Sequence, residues 1–162
     1  MEEPDEPDAM MTRIGQAVML LHGGDREEAR GRFAALWAEI GDQGDPLHRC
    51  TLAHYMADTQ DDPEDELTWD LRALRAADAL APQDAGPASS SAAAPGIPGF
   101  YPALHLNLAA AYWKVGESRL ALSHLGLARR ACPSLGDDAY GDSMRAAIGR
   151  MELWLVGSDQ LP

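Results

Sequence analysis

The sequence predicts an all-α chain. Apolar residues recur at helical spacing along most of its length, and the β-branched residues that build strands are scarce. Glycine and proline signals then cut the periodic stretches into pieces of ordinary helix length.

The first predicted helix covers residues 10–22 and is closed by Gly23-Gly24. Asp25, with Glu28 three positions on, reads as a capping box opening a second helix. That helix places Ala29, Phe33, Leu36, Trp37 and Ile40 on one stripe and stops at Gly41 to Pro46. A second hairpin pairs residues 47–58 with residues 63–80. Asp62 is its internal cap, Pro63 its first helical residue, and Leu67, Leu71 and Leu74 its expected buried stripe. Residues 82–101 are rich in Pro, Gly, Ser and Ala and are expected to be a flexible insertion. A third hairpin, residues 102–132, turns at Gly116. The last helix, residues 137–156, carries Tyr140, Met144, Ile148, Met151 and Leu155 at spacings of three and four. Trp37, Trp69 and Trp154 fall on helix stripes and are expected in the core.

At 162 residues the chain is expected to form one compact domain, residues 10–156, with an acidic disordered N-terminus (1–9) and a short tail (157–162). Thirteen basic residues stand against 26 acidic ones, a formal charge of −13, and Lys114 is the single lysine. Nucleic acid and anionic membranes both require a basic surface, so neither is an expected partner. Cys50 and Cys132 form no Cys-x-x-Cys spacing, which excludes the common redox and zinc motifs. The acidic, proline-interrupted start is unlike a secretory signal, and no apolar run reaches the ~18 residues of a membrane span. A cytoplasmic location is expected, and the Ala, Gly, Pro and Arg bias suggests a bacterial source.

Laying the hairpins over one another reveals a repeat. The third carries His105-x2-Leu108-Ala109-x2-Tyr112, Gly116 at the turn, then Ala121-x3-Leu125, Ala128 and Pro133. The first places Ala17, Leu20, Gly24, Ala29 and Phe33 where Ala109, Tyr112, Gly116, Ala121 and Leu125 stand. The 92 positions from Gly24 to Gly116 make two periods of about 34 plus roughly 24 more, most of them in the insertion. The middle hairpin is the degenerate member, with Leu67 where a small alanine is expected and a longer turn. In these residues the chain resembles the tetratricopeptide-repeat (TPR) family, in which small residues let paired helices approach closely.

The resemblance implies a right-handed superhelix of three antiparallel hairpins (about 10–43, 46–81 and 102–135) capped by residues 137–156. It also implies a concave groove, lined by the first helix of each repeat, that receives a peptide or partner helix. Carried over by position, the groove would present Met11, Ile14, Val18, Leu21 and His22, then Leu47, Cys50, Thr51, His54 and Asp58. Ala103, Leu106, Asn107, Ala110, Trp113 and Lys114 complete it. Asn107 resembles the asparagine with which chaperone-binding members grip a C-terminal carboxylate, but the basic residues of that clamp are absent. Trp113 offers the broadest anchoring face. Ile97, Phe100 and Tyr101, at the end of the insertion, could fill the groove themselves.

For catalysis the pattern offers little. His54 and Asp58 are four apart on one helix face, with Cys50 a turn earlier, and could share a proton or touch a metal. There is no His-Glu-x-x-His, glycine-rich phosphate loop or nucleophile elbow. The expectation is a non-catalytic interaction module for an apolar or amphipathic segment of another protein, with no cofactor or metal. A self-associating structural subunit and a helical enzyme using His54, Asp58 and Cys50 are the alternatives.

Overall fold

A computed structural model describes residues 8–80 and 100–159. Most of the predicted insertion, including Ile97, lies outside them. Among the described residues there are seven α-helices, one 3-10 turn and no strand. The helices are α1 (Ala9–His22), α2 (Arg26–Ile40), α3 (Pro46–Asp58), α4 (Pro63–Leu80), α5 (Phe100–Lys114), α6 (Ser118–Ala131) and α7 (Ala139–Asp159). The chain divides into two compact units, Met1–Ala76 and Ala77–Pro162, with the boundary inside α4.

Carboxylates open several of these helices by accepting otherwise orphaned backbone N–H groups. Asp8 Oδ1 accepts from Met11 N at 3.1 Å, Asp45 Oδ1 from Leu47 N at 2.8 Å and Asp62 Oδ1 from Glu64 N at 2.9 Å. Pro46 and Pro63 follow their caps as first helical residues, where a missing N–H costs nothing. The expected capping box at Asp25 does not form: its side chain makes no cap bond. The Asp25 N–H already donates to Leu20 O at 2.9 Å, which leaves no donor for Glu28, and Glu28 pairs with Arg32 instead.

In the first unit, Ile14 and Ala17 of α1, Ala29, Phe33 and Leu36 of α2, and Leu52 and Met56 of α3 form one buried cluster. Trp37 and Trp69 meet edge to face with ring centroids 5.0 Å apart. Arg49 lies over Trp37 and Arg72 over Trp69, at 4.5 and 4.4 Å from the ring centroids, so both indoles are covered by cations. Arg26 joins α2 to the end of α3 by donating to Gln60 O at 2.7 Å and pairing with Asp61. In α4 the deeply buried positions are Asp70, Ala73, Ala76 and Ala77. Leu67, Leu71 and Leu74, the predicted stripe, are half-buried on its margin. The stripe was displaced by about one residue because the small side chains take the place of closest approach and the leucines fill in beside it.

The second unit repeats the plan of the first. Ala109 of α5, Ala121, Leu125 and Ala128 of α6, and Ile148 and Leu155 of α7 share one buried cluster. At the same 92-residue offset, Ala17, Ala29, Phe33 and Leu36 stand for Ala109, Ala121, Leu125 and Ala128, and Met56 stands for Ile148. The hairpin turns agree bond for bond. Gly24 N donates to Leu21 O and Asp25 N to Leu20 O, at 3.1 and 2.9 Å; Gly116 N donates to Trp113 O and Glu117 N to Tyr112 O, at 3.0 and 2.9 Å. Gly24 and Gly116 have φ of 91° and 86°, the left-handed region that disfavours any side chain. Thus α7, expected as a lone cap, occupies in its own unit the place that α3 occupies in the first.

Three boundaries move by two residues or more. The third hairpin starts at Phe100, which puts Phe100 and Tyr101 inside α5, and α7 runs from Ala139 to Asp159. Asp138 Oδ1 caps α7 by accepting from Gly141 N at 2.8 Å. Tyr140, predicted on the α7 core stripe, is 51% exposed at the first turn.

Candidate functional site

The side chains that could carry function fall into separate groups in the two units. On α1, Ile14 is buried at 1% exposure, so it belongs to the core and lines no surface; Val18 and Leu21 are half-buried beside that core, and His22 is exposed. On α3, Cys50 is fully buried and is likewise removed from any surface. Asp58 is exposed at the helix end.

His54 is mostly enclosed, its ring set edge-on to Tyr55 with centroids 5.0 Å apart. Burial lowers its pKa to about 4 because the imidazolium would lose its hydration. The ring is therefore neutral at pH 7. The Asp58 charge bears on Tyr55, where it adds to the larger effect of burial and raises the phenol. Tyr55 also lies parallel to Phe33, at 6.3 Å between centroids, and edge-on to His22. His54, Asp58 and Cys50 thus share a helix, but burial depth separates them: one side chain is inside, one at the margin and one in water.

His48 stands near the start of the same helix. Its Nε2 lies 2.6 Å from Asp8 Oδ2, tying the start of α3 to the start of α1. That bond is the largest influence holding the Asp8 carboxyl below its usual range, with the Met11 N–H assisting.

On α5, two faces are distinct. Pro102, Ala103, Leu104, Leu108, Ala109 and Ala111 are buried. Leu106, Asn107, Ala110 and Trp113 are half-buried on another side of the helix, with Lys114 exposed at its end. Ala103, placed in the groove by the family pattern, is therefore part of the interior. The Trp113 indole rests on Trp154 of α7, centroids 4.2 Å apart and planes tilted by 43°. Trp154 is 49% exposed rather than core, because its ring covers Trp113 instead of entering the helix packing. Leu153 and Val156 beside it are also exposed.

The sequence reading did not find a row of four rings across α5 and α6. Tyr101 lies nearly parallel to His105 at 6.3 Å, and Tyr112 nearly parallel to His124 at 5.3 Å. Between them, His105 Nδ1 and His124 Nδ1 are 3.0 Å apart. The Tyr101 hydroxyl donates to Ala77 O at 3.0 Å and lies 3.4 Å from Asp78 Oδ1. Burial lowers the pKa of both imidazoles, His105 to about 4 with the charge of His124 contributing. A signal was present: pairing Ala109 with Ala121 across the antiparallel hairpin brings residue 105 to the level of residues 124 and 125.

No group of three or more His, Cys, Asp or Glu that could hold a metal comes together among the described residues, and no helix there is long and apolar enough to cross a membrane. Comparison with known protein families, curated proteins and solved structures finds no match to this chain.

Proposed function

We propose that this chain is a non-catalytic TPR-like interaction module, and that α5 presents the surface on which an apolar or amphipathic segment of another protein lies. The observation that carries the reading is the row Leu106, Asn107, Ala110 and Trp113. These side chains are neither sealed in the core, as Leu108 and Ala109 are, nor dispersed in solvent. A row at spacings of three and four follows the length of a helix and suits a linear partner. Asn107 brings an amide, a group able both to donate and to accept, and Trp113 adds apolar area beside its contact with Trp154. Val18 and Leu21 with His22 form the corresponding edge of the first unit.

A catalytic reading through His54 has less support. An imidazole held near pKa 4 is a weak base at neutral pH, far from the match that general catalysis requires. A self-associating subunit is the second reading, favoured by the exposed Leu153, Trp154 and Val156 on α7.

Selection of a random peptide library on the full chain tests the first reading. Apolar or amphipathic peptides should be enriched, and Leu106→Asp and Ala110→Arg should each weaken their capture at least tenfold while circular dichroism keeps its helical signal. Capture unchanged by both substitutions removes α5 as the binding surface. A concentration-dependent dimer lost in Leu153→Asp, with no peptide enriched, replaces the reading with self-association.

A further inference from the structure

The His105–His124 contact is not part of the repeated framework. At the equivalent positions the first unit has Arg13 and Arg32, which pair with Glu39 and Glu28, while the surrounding alanine and leucine positions keep their core roles in both units. The helical hairpin therefore forms without a histidine pair, and this one needs an explanation of its own.

Its geometry is specific. The ring centroids are 5.3 Å apart and the Nδ1 atoms 3.0 Å, so the centroids are farther apart by about one ring diameter. The rings, 25° from coplanar, meet end to end. The two Nδ1 lone-pair directions then lie along one line, as a shared proton requires. They do not converge on a third point, as two ligands of one metal ion must.

We propose that His105 and His124 form a two-proton latch across the α5–α6 hairpin, whose bond survives the first proton taken up and breaks with the second. In the neutral pair each imidazole carries one N–H. One ring donates from Nδ1 and keeps a lone pair on Nε2; the other accepts at Nδ1 and carries its proton on Nε2. The first added proton goes to the open Nε2 of the donating ring. The bond becomes N⁺–H···N, a charge-assisted form stronger than the neutral one. For the second proton the only remaining lone pair is the accepting Nδ1, and filling it sets two N–H groups and two positive charges against each other. The rings must separate, and α5 and α6 separate with them at this level.

Among the described residues, the groups seen against the pair do not offset that charge. Tyr101 and Tyr112, both from α5, flank it with neutral rings. Asp78, at the end of α4, reaches the Tyr101 hydroxyl rather than an imidazole. The charge that acts on His105 is that of His124.

The test is imidazole ¹⁵N NMR of the labelled full chain from pH 7.5 to 3.5, with amide exchange measured in parallel. The expected result is one protonated Nδ1 at neutral pH, with a scalar coupling to the opposite Nδ1. That coupling persists through the first protonation and vanishes with the second, together with amide protection near residue 124. His124→Phe keeps a ring beside Tyr112 and removes both nitrogens, so protection there should persist about one pH unit lower. Loss of the coupling with the first proton overturns the proposal, and so does an unchanged acid midpoint in a folded His124→Phe chain. If that variant does not fold, the wild-type coupling decides alone.

Discussion

Replacing His54 by phenylalanine should make the first unit resistant to acid. The unfolded chain titrates this imidazole near its ordinary value of ~6.5, whereas burial holds it at about 4 in the folded unit. Between those values the unfolded state binds the proton more strongly, so each fall in pH favours unfolding. The stability at stake is fully present above pH ~6.5 and is lost as pH falls through about 4. That interval corresponds to about 3 kcal/mol. Side-chain burial leaves little solvent to screen it. The assay is amide exchange of α3 at matched ionic strength, at pH 7.5 and 4.5, in wild type and His54→Phe. Other groups titrate in both proteins and cancel in the difference. Wild type should lose about 2 to 3 kcal/mol more than the variant between the two conditions. A difference below about 0.5 kcal/mol would refute the argument, since His54 would then be as hydrated in the folded unit as in the unfolded chain.

Gly24→Ala and Gly116→Ala should each cost about 1 to 2 kcal/mol in urea melts, because each places a Cβ on a left-handed backbone. Gly15→Ala, inside α1 with open space around its missing Cβ, should instead gain roughly 0.5 to 1 kcal/mol. Similar effects at all three positions would mean that the turns do not require glycine. Ile148→Ala should destabilise the second unit by about 2 to 5 kcal/mol, measured by exchange in α5 and α6, since it removes a fully buried side chain from the cluster that α7 completes. A loss confined to α7 itself would show that this helix is not integral to the core.

The helices were legible because their signals are local. Asp-Pro starts, glycine stops and apolar periodicity act within a few residues, and they recover each of the seven helices among the described residues within a few positions at each end. Burial depth was less legible. Periodicity assigns a face to Ile14, Cys50 and Ala103 but does not say whether that face meets water or another helix, and all three are buried. Trp154 failed in the opposite direction: its spacing matches a core stripe, while its ring ends as a half-exposed cover on Trp113. The capping box at Asp25 was misread because the family of short turns with glycine in the left-handed region consumes the very N–H that the box needs.

The duplication separates scaffold from specialisation. Positions that agree at the 92-residue offset, such as Ala17 with Ala109, Ala29 with Ala121 and Gly24 with Gly116, are those where close packing or a left-handed turn admits few residue types. Positions that differ are free of that constraint, so what stands there reflects other demands. Leu21 gives way to Trp113, Gly15 to Asn107, and the arginines at 13 and 32 to the histidines at 105 and 124. Each change puts a ring or an amide on the second unit where the first has an aliphatic, a glycine or an ion pair. None is needed to build the hairpin, since the first unit builds one without them. The second unit is therefore where the proposals above place recognition and the histidine latch. Exchanging Trp113 and Asn107 for Leu and Gly should preserve the fold while removing peptide capture.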